Sequence, residues 1–277
     1  MSRPTATLGI DLASQAKNTG FCAIEWVNGR GVVRVLTTAS HQGAALHDKF
    51  LVTAINGLRL VELGEASISK TGIDAPLGWP EPFVDALAAH HGGEGWPSLI
   101  DHGRSAFERR ETDRFVHGRS GRTPLSVSTD KIAYPAMRAA VLLADLARRH
   151  GPAAVDRSGA GMICEVYPDP ALRHWTHGRP DGLVGREGYK ATPLIERRRQ
   201  LTTILQEGAR LSDPEWLLNR CSEDDHCLDA LVCALVARAS VLGRTLAPRD
   251  PETQRLATYE GWIHLPDCDL AALPADG

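Results

Sequence analysis

The sequence contains no apolar run of the roughly 20 residues that a membrane-spanning helix requires. Its first residues lack the charged, apolar and cleavage-site regions of a signal peptide. The six cysteines are scattered, and none forms a Cys-x-x-Cys pair. These absences argue against a membrane protein, a secreted disulfide framework and a structural zinc site. We therefore expect a reduced, cytoplasmic protein that does not bind membranes.

Lysine is scarce, since only five of the 31 basic residues are lysine and the rest are arginine. The formal net charge of −3 excludes the global basic signature of many nucleic-acid-binding proteins. Arginine suits bidentate contacts with phosphate or carboxylate groups. A GC-rich coding bias explains the same composition, so the excess of arginine does not by itself indicate a substrate.

The apolar pattern predicts one domain over residues 1–277, with a mixed α/β fold. Apolar runs predict five strands, over residues 6–11, 20–27, 31–39, 68–78 and 161–168. Asn28-Gly29 marks a hairpin between the second and third strands. Helical periodicity predicts helices over residues 44–60, 83–89, 132–150, 192–208 and 223–241. Hairpin-linked strands followed by strand–helix alternation predict a mixed five-stranded sheet with helices on both faces.

Residues 91–130 differ from the rest of the chain, because they are rich in glycine, arginine, serine and threonine and carry mixed charge. Long loops in compact domains are uncommon unless they are functional or disordered. We interpret this segment as an inserted, arginine-rich lid over a site, with one short helix over residues 104–116. A solvated surface loop is the alternative.

Two of the predicted strands end in the same three residues. Gly9-Ile10-Asp11 ends the first, and Gly72-Ile73-Asp74 ends the fourth. Turn chemistry explains one such aspartate, but the repetition favours a function. If the strands are parallel neighbours, the carboxylates lie about 4.8 Å apart and repel each other unless a cation or a proton lies between them. Oxygen clusters of this kind suit Mg²⁺ or Mn²⁺, and glycine before each aspartate leaves room for close packing.

A third group of acids lies in "CSEDDHCLDALVCALVARAS". Ser222 and Asp225 resemble a capping box, so Asp225 is either a cap or a ligand. Asp229 lies beyond the first turn, on the same side of the helix as Asp225 and His226, where a carboxylate is costly to bury without a partner. We therefore predict a functional role for Asp229, whereas His226 is more simply a surface or core histidine. Glu165, near the end of the fifth strand, is a possible additional acid.

The order of these elements resembles the ribonuclease H-like fold, in which strands one and four are adjacent and a late helix brings an acid over them. More narrowly, the chain resembles the DUF429 family, often described as predicted nucleases with that fold. The matching pieces span nearly the whole chain: "GIDLA", "TGIDAPLGWP", "RRETDRF", "EVYPDPALR", "DDHCLDALVCALVARA" and "YEGWIHLP". The spacing of His226 and Asp229 is also similar to that in Holliday-junction resolvases.

The resemblance implies a metal-dependent nuclease. Asp11, Asp74 and Asp229, with Asp225 or His226, would hold two Mg²⁺ or Mn²⁺ ions for phosphodiester hydrolysis. Basic side chains would bind the phosphates of a nucleic-acid or nucleotide substrate. The candidates for that role are Arg110, Arg114 and Lys190.

Two other functions fit the same residues. The fold core also builds actin-like ATPases and sugar kinases, in which the loop "GIDLASQAKNTG" would bind phosphate through Ser14 or Thr19. The chain has no Walker A motif, and "HGRPDGLVGREG" is a poor match to the glycine-rich adenosine loop of those proteins. A non-catalytic binding protein would keep the fold and hold one structural ion or none.

Overall fold

The structure is a computed structural model. It describes residues 4–39, 45–56, 63, 66–97, 103–177, 183–184, 188–212 and 215–275. Within these ranges, no helix is both long enough and apolar enough to cross a membrane.

The described strands form one mixed sheet. They are β1 (Thr5–Asp11), β2 (Gly20–Val27), β3 (Arg30–Thr37), β4 (Ser67–Asp74), β5 (Ile163–Glu165) and β6 (Leu211–Ser212). Their order in the sheet is β5-β4-β1-β2-β3-β6. The pairs β1–β2 and β2–β3 are antiparallel, whereas β1–β4, β4–β5 and β3–β6 are parallel.

The predicted mixed sheet is confirmed, but the predicted strand count of five is wrong, because the sheet has six strands. The additional strand, β6, is two residues long and pairs with Gly31 and Val32 of β3. A run of this length is too short to show the alternation by which a strand is recognised in a sequence.

Helices flank the sheet. They are α1 (Asp48–Ile55), α2 (Glu81–His91), α3 (Arg104–Glu108), α4 (Glu111–Ser120), α5 (Ala133–His150), α6 (Pro168–Trp175), α7 (Ile195–Gly208), α8 (Glu215–Glu223), α9 (Asp225–Val241) and α10 (Pro251–Glu260). The predicted helix over residues 44–60 corresponds to α1, and residues 44 and 57–60 of that prediction lie outside the described residues.

The sheet separates two apolar cores, because successive side chains of a strand point to opposite faces. In β2, Phe21 and Ala23 belong to the core that α1 and α5 cover, whereas Cys22 and Ile24 belong to the core that contains α9. Helix α9 packs on β1, β2 and β4 and is buried along most of its length. It is therefore the central helix of its layer.

The predicted hairpin is confirmed. Val27 pairs with Arg30 across the two-residue turn, and the φ angles of Asn28 and Gly29 are 52° and 68°. A tight turn of this kind requires positive φ at both central residues, which asparagine and glycine tolerate.

The start of α9 differs from the prediction. Asp224 is the N-cap, and its side chain accepts a hydrogen bond from the backbone N–H of His226 at 3.0 Å. Ser222 lies inside α8, where its hydroxyl donates to the carbonyl oxygen of Leu218. The predicted capping box of Ser222 and Asp225 is therefore wrong, because a separate helix ends directly before Asp224.

The arginine-rich segment is folded over its described part. The single helix predicted over residues 104–116 is two helices, α3 and α4, separated by the extended backbone of Arg109. Phe107, Thr112 and Val116 of these helices are buried. Residues 98–102 of the segment lie outside the described residues.

Two glycines allow α9 to lie directly on the sheet. Gly9 and Gly72 are paired in β1 and β4. A Cβ atom added at Gly9 would overlap the carbonyl oxygen of Ala230 in α9, and one added at Gly72 would overlap that of Cys233. The glycines of the repeated Gly-Ile-Asp therefore provide the close packing that the sequence predicted.

The segment "YEGWIHLP" closes the edge of the sheet beside β5. Ile263 forms a parallel bridge with Glu165, and the backbone N–H of His264 donates to the Glu165 carbonyl oxygen at 2.9 Å. Trp262 is buried. This segment therefore packs against the same strand that carries Glu165.

One carboxylate of this segment ties two helices together. The oxygens of Glu260 accept hydrogen bonds from the backbone N–H groups of Glu81 at 2.8 Å and Glu111 at 2.7 Å. These are the first residues of α2 and α4. A negative charge is favourable at a helix N-terminus, where backbone N–H groups lack partners within the helix.

We predict that Gly9→Ala lowers the free energy of unfolding by about 3 kcal/mol, because the added methyl group must displace the backbone of α9. Gly118→Ala is the matched control. Gly118 is a residue of α4 where an added Cβ meets nothing within 4 Å, so we expect a gain of about 0.5–1 kcal/mol. Urea unfolding followed by circular dichroism measures both values. Equal stability of the two variants would contradict the close packing.

We also predict acid sensitivity from a buried histidine. Burial lowers the pKa of His264 from 6.5 to about 4. Between these values the unfolded chain binds a proton that the folded protein does not, so His264 destabilises the fold as the pH falls from 6.5 to about 4 and has no such effect above 6.5. Over that range the wild type should lose on the order of 3 kcal/mol more than His264→Gln. Urea unfolding at several pH values measures the two free energies of unfolding. If both decrease equally as the pH falls, this assignment is refuted.

Candidate metal centre

Three aspartates from three elements meet at the carboxyl ends of β1 and β4. Asp11 and Asp74 end these parallel strands and are paired in register. Asp229, in α9, reaches them because α9 lies directly on Gly9 and Gly72. One oxygen atom of each carboxylate lies within 4.8 Å of the others. Asp11 is 7% exposed and Asp229 is 0% exposed, so three acids converge in a largely buried place.

Burial and the neighbouring carboxylates disfavour the ionised forms of Asp11 and Asp74. Burial, with the neighbouring carboxylates of Asp11 and Asp229, raises the pKa of Asp74 well above its usual range, against the opposing charge of Lys190. Burial also raises the pKa of Asp11, although its hydrogen bond to His226 opposes the shift. A cation held among the three oxygens would favour the ionised forms.

Both oxygens of Asp229 are in contact with neighbouring side chains. The Tyr189 hydroxyl donates to Oδ1 at 2.5 Å, and Lys190 Nζ lies 2.6 Å from Oδ2. Desolvation of its ammonium group lowers the pKa of Lys190, but the carboxylates of Asp229, Asp74 and Asp11 outweigh this effect and raise that pKa well above its usual range. Lys190 therefore carries a positive charge beside the cluster.

His226 and Asp225 lie at the start of α9, next to the three aspartates. His226 Nδ1 is 2.6 Å from Asp11 Oδ2, and this hydrogen bond raises the pKa of His226 to about 9. Its imidazole therefore carries a proton near neutral pH and donates to Asp11. Asp225 groups with Asp224 and His226 in a second set of possible ligand atoms, and burial, followed by the Asp229 carboxylate, raises the pKa of Asp225.

A cavity of about 400 Å³ opens beside Asp74 and Lys190. Its wall combines polar side chains, including Arg122, Tyr167 and Asp169, with apolar ones. The apolar part is formed by Ala75, Pro76, Pro124, Leu125, Ile132, Val166 and Ile263. Arg122, Pro124 and Leu125 come from the arginine-rich segment, so part of that segment lines the cavity.

Arg110, predicted to bind phosphate, has a structural role instead. It is 2% exposed. Its guanidinium donates to Asp113 and Glu165 through paired contacts of 2.7 to 3.2 Å and to the Glu260 carbonyl oxygen at 3.1 Å. These bonds use all five N–H groups of the side chain. The prediction of phosphate binding is therefore wrong for Arg110, because no donor is left for a substrate.

Arg114 and Glu165, which were also predicted as site residues, differ in whether they line the cavity. Arg114 is exposed, pairs with Glu111 at 3.2 Å, and does not line the cavity in the described part of the chain. Glu165 does line the cavity, but its oxygens accept hydrogen bonds from Arg110 and from the Leu77 N–H. Glu165 therefore serves the buried ion pair with Arg110.

The donor set of the cluster fits a hard divalent cation. Asp11, Asp74 and Asp229 offer carboxylate oxygens only, which are the ligands that Mg²⁺ and Mn²⁺ prefer. Lys190 and the protonated His226 already provide positive charge at this place. The arrangement can bind a cation and hold an anionic ligand in the adjoining cavity.

Sequence reasoning did not identify Tyr189. Its side chain is 1% exposed, and its hydroxyl fixes one oxygen of Asp229. A lone tyrosine between irregular segments has no periodic or motif signal. Only its position beside Lys190 in "GYK" could have drawn attention to it.

A model for the family DUF429, whose description is "Protein of unknown function", matches residues 9–253. The chain belongs to DUF429. No curated protein and no solved structure matches it. The matched region of this DUF429 chain includes Asp11, Asp74 and Asp229, together with Tyr189 and Lys190.

We predict that Arg110→Met lowers the free energy of unfolding by about 3–5 kcal/mol, because it leaves the buried carboxylates of Asp113 and Glu165 without a countercharge. Arg114→Met is the control from the same segment, and its loss should stay below about 1 kcal/mol, since its ion pair is exposed. Urea unfolding of both variants measures the difference. Similar small losses would mean that Arg110 does not anchor this segment.

Proposed function

We propose that this DUF429 protein is a metal-dependent nuclease with a ribonuclease H-like fold, which hydrolyses phosphodiester bonds. The observation that carries the proposal is the convergence of Asp11, Asp74 and Asp229, whose oxygens lie within 4.8 Å of one another. Buried carboxylates are costly to bring together, and these three outnumber the two positive groups that contact them, Lys190 and the protonated His226. A cation site explains why the fold holds them there.

The strand arrangement supports this proposal. Strands β1, β2 and β3 form an antiparallel meander, and β4 lies parallel to β1 on its other side. The late helix α9 brings Asp229 over the ends of β1 and β4. These are the features expected of a ribonuclease H-like fold. The same elements, β1, β4 and α9, carry the three aspartates of the cluster.

Asp11, Asp74 and Asp229 would hold Mg²⁺ or Mn²⁺, with Asp225 next to them. When bound, such an ion supplies a Lewis acid and a water of lowered pKa at neutral pH. His226, through its hydrogen bond to Asp11 Oδ2 at 2.6 Å, fixes the orientation of that carboxylate. Of these groups, Asp74 lines the cavity, so the ion would lie beside the Asp74 end of the cavity.

The cavity would bind the substrate. Lys190 supplies positive charge for a phosphate group beside Asp74. The apolar wall excludes water and provides contact area for a nucleoside. Arg122 shares the wall, but it pairs with Asp169 at 3.0 Å, so Lys190 is the stronger candidate. The proposed substrate is a nucleic acid or a nucleotide.

We predict that the wild-type protein binds Mn²⁺ and that Asp74→Asn weakens binding by at least about tenfold, because it removes one formal negative charge beside the ion. Isothermal titration calorimetry measures the affinity. Glu94→Gln is the matched control: Glu94 is exposed, so its variant should bind as the wild type does. Failure of the wild type to bind Mn²⁺, without and then with an oligonucleotide, would refute the proposal.

Hydrolysis is the second readout. Mn²⁺-dependent cleavage of labelled single-stranded DNA, RNA, duplex DNA or a branched junction should occur with the wild type and be lost in Asp74→Asn. Metal binding without cleavage of any of these would instead favour a non-catalytic binding protein. Binding of ATP with phosphate transfer would favour the actin-like or sugar-kinase alternative.

A further inference from the structure

Both carboxylate oxygens of Asp229 contact neighbouring side chains. Tyr189 donates its hydroxyl to Oδ1 at 2.5 Å, and Lys190 Nζ lies 2.6 Å from Oδ2. The carboxylate is 0% exposed, so solvent does not separate these groups. A divalent ion that binds Oδ2 must therefore approach the ammonium group of Lys190 closely.

The contact of Lys190 with Asp229 is a short ion pair, in which Nζ lies 2.6 Å from Oδ2. The attraction is therefore largely electrostatic. A cation of higher charge at the same oxygen competes with Lys190 for this attraction.

Hydrogen bonds hold the backbone around Lys190 in place, whereas its side chain is half exposed. Arg198 Nη1 donates to the carbonyl oxygens of Tyr189 at 2.9 Å and Ala191 at 3.0 Å, and Arg197 donates to that of Gly188 at 2.6 Å. The side chain of Lys190 is 54% exposed, and its four-carbon stem is flexible. Movement of the ammonium group therefore requires no movement of the backbone.

The cavity has room for the ammonium group once it is displaced from Asp229. Lys190 lines this cavity together with Tyr167 and Asp169. Asp74 lines the same cavity, so an ammonium group that left Oδ2 of Asp229 for the cavity would stay near the Asp74 carboxylate. The released ammonium then faces the volume in which a phosphate group would bind.

We infer that Lys190 is a built-in cation that competes with the divalent ion for Asp229, and that ion binding moves its ammonium group into the cavity as the phosphate ligand. This inference rests on the proposed function, since it assumes a divalent ion at the cluster. It makes Lys190 a positioning residue that couples the metal site to the substrate site. Tyr189 keeps Asp229 oriented during the exchange.

The test is Mn²⁺ affinity, measured by calorimetry on the full chain with no substrate. Lys190→Met removes the competing charge and keeps the apolar stem, so Mn²⁺ should bind at least about tenfold more tightly than in the wild type. Lys190→Arg keeps the charge and should return the affinity toward that of the wild type. Lys49→Met, an exposed lysine of α1 on the opposite face of the sheet, should leave the affinity unchanged.

A second readout follows the fate of the ammonium group. With Mn²⁺ at saturation, inorganic phosphate should bind the wild type more tightly than Lys190→Met, which lacks the released charge. The two variant effects therefore have opposite signs: tighter metal and weaker phosphate. A purely structural lysine would not produce this combination. If Lys190→Met does not fold, Lys190→Gln provides the neutral side chain.

Each result decides the inference. Equal or weaker Mn²⁺ binding by Lys190→Met, with clear binding by the wild type, overturns the competition and leaves the proposed nuclease intact. Binding by Lys190→Met without binding by the wild type, both with and without an oligonucleotide, overturns the proposed function and with it the inference. Absence of Mn²⁺ binding in every protein, with and without an oligonucleotide, overturns both the inference and the proposed function.

Discussion

The candidate site depends on how closely the backbone of α9 approaches the sheet. Gly9 and Gly72 have no Cβ atoms, so the carbonyl oxygens of Ala230 and Cys233 lie where side chains would otherwise stand. A helix on a sheet with ordinary side chains would lie several ångströms farther away, and Asp229 would not reach the carboxylates at the strand ends. The packing of the core and the geometry of the cluster are therefore set by the same two residues.

The buried acids of this protein are neutralised in two different ways. Glu165 and Asp113 share the guanidinium of Arg110, whose N–H groups all donate hydrogen bonds to protein oxygens. Such a network is permanent, because no partner can leave without stranding a buried charge. In the cluster, Lys190 supplies its charge through a half-exposed side chain. A fixed and an exchangeable countercharge thus lie on the wall of one cavity.

Local patterns predicted much of the fold and the centre of the site. The repeated Gly-Ile-Asp, the Asn28-Gly29 turn and the apolar length of α9 are each encoded within a few residues, so they can be read without a structure. The two-residue strand β6 is defined by its pairing with β3 and has no apolar pattern of its own. Arg110 was misassigned because a phosphate and a buried carboxylate attract the same side chain. Tyr189 was missed because its hydroxyl acquires a role only once α9 lies above it.

The segment after α10 adds the last wall of the cavity, since Ile263 lines it and pairs with β5. In the sequence, the acids of the cluster extend from Asp11 to Asp229. During translation, the chain emerges from its N-terminus onward. Asp11 and Asp74 are therefore synthesised before α9 and Ile263, which enclose them. Until then, the nascent chain carries the two aspartates without the helix and the segment that enclose them.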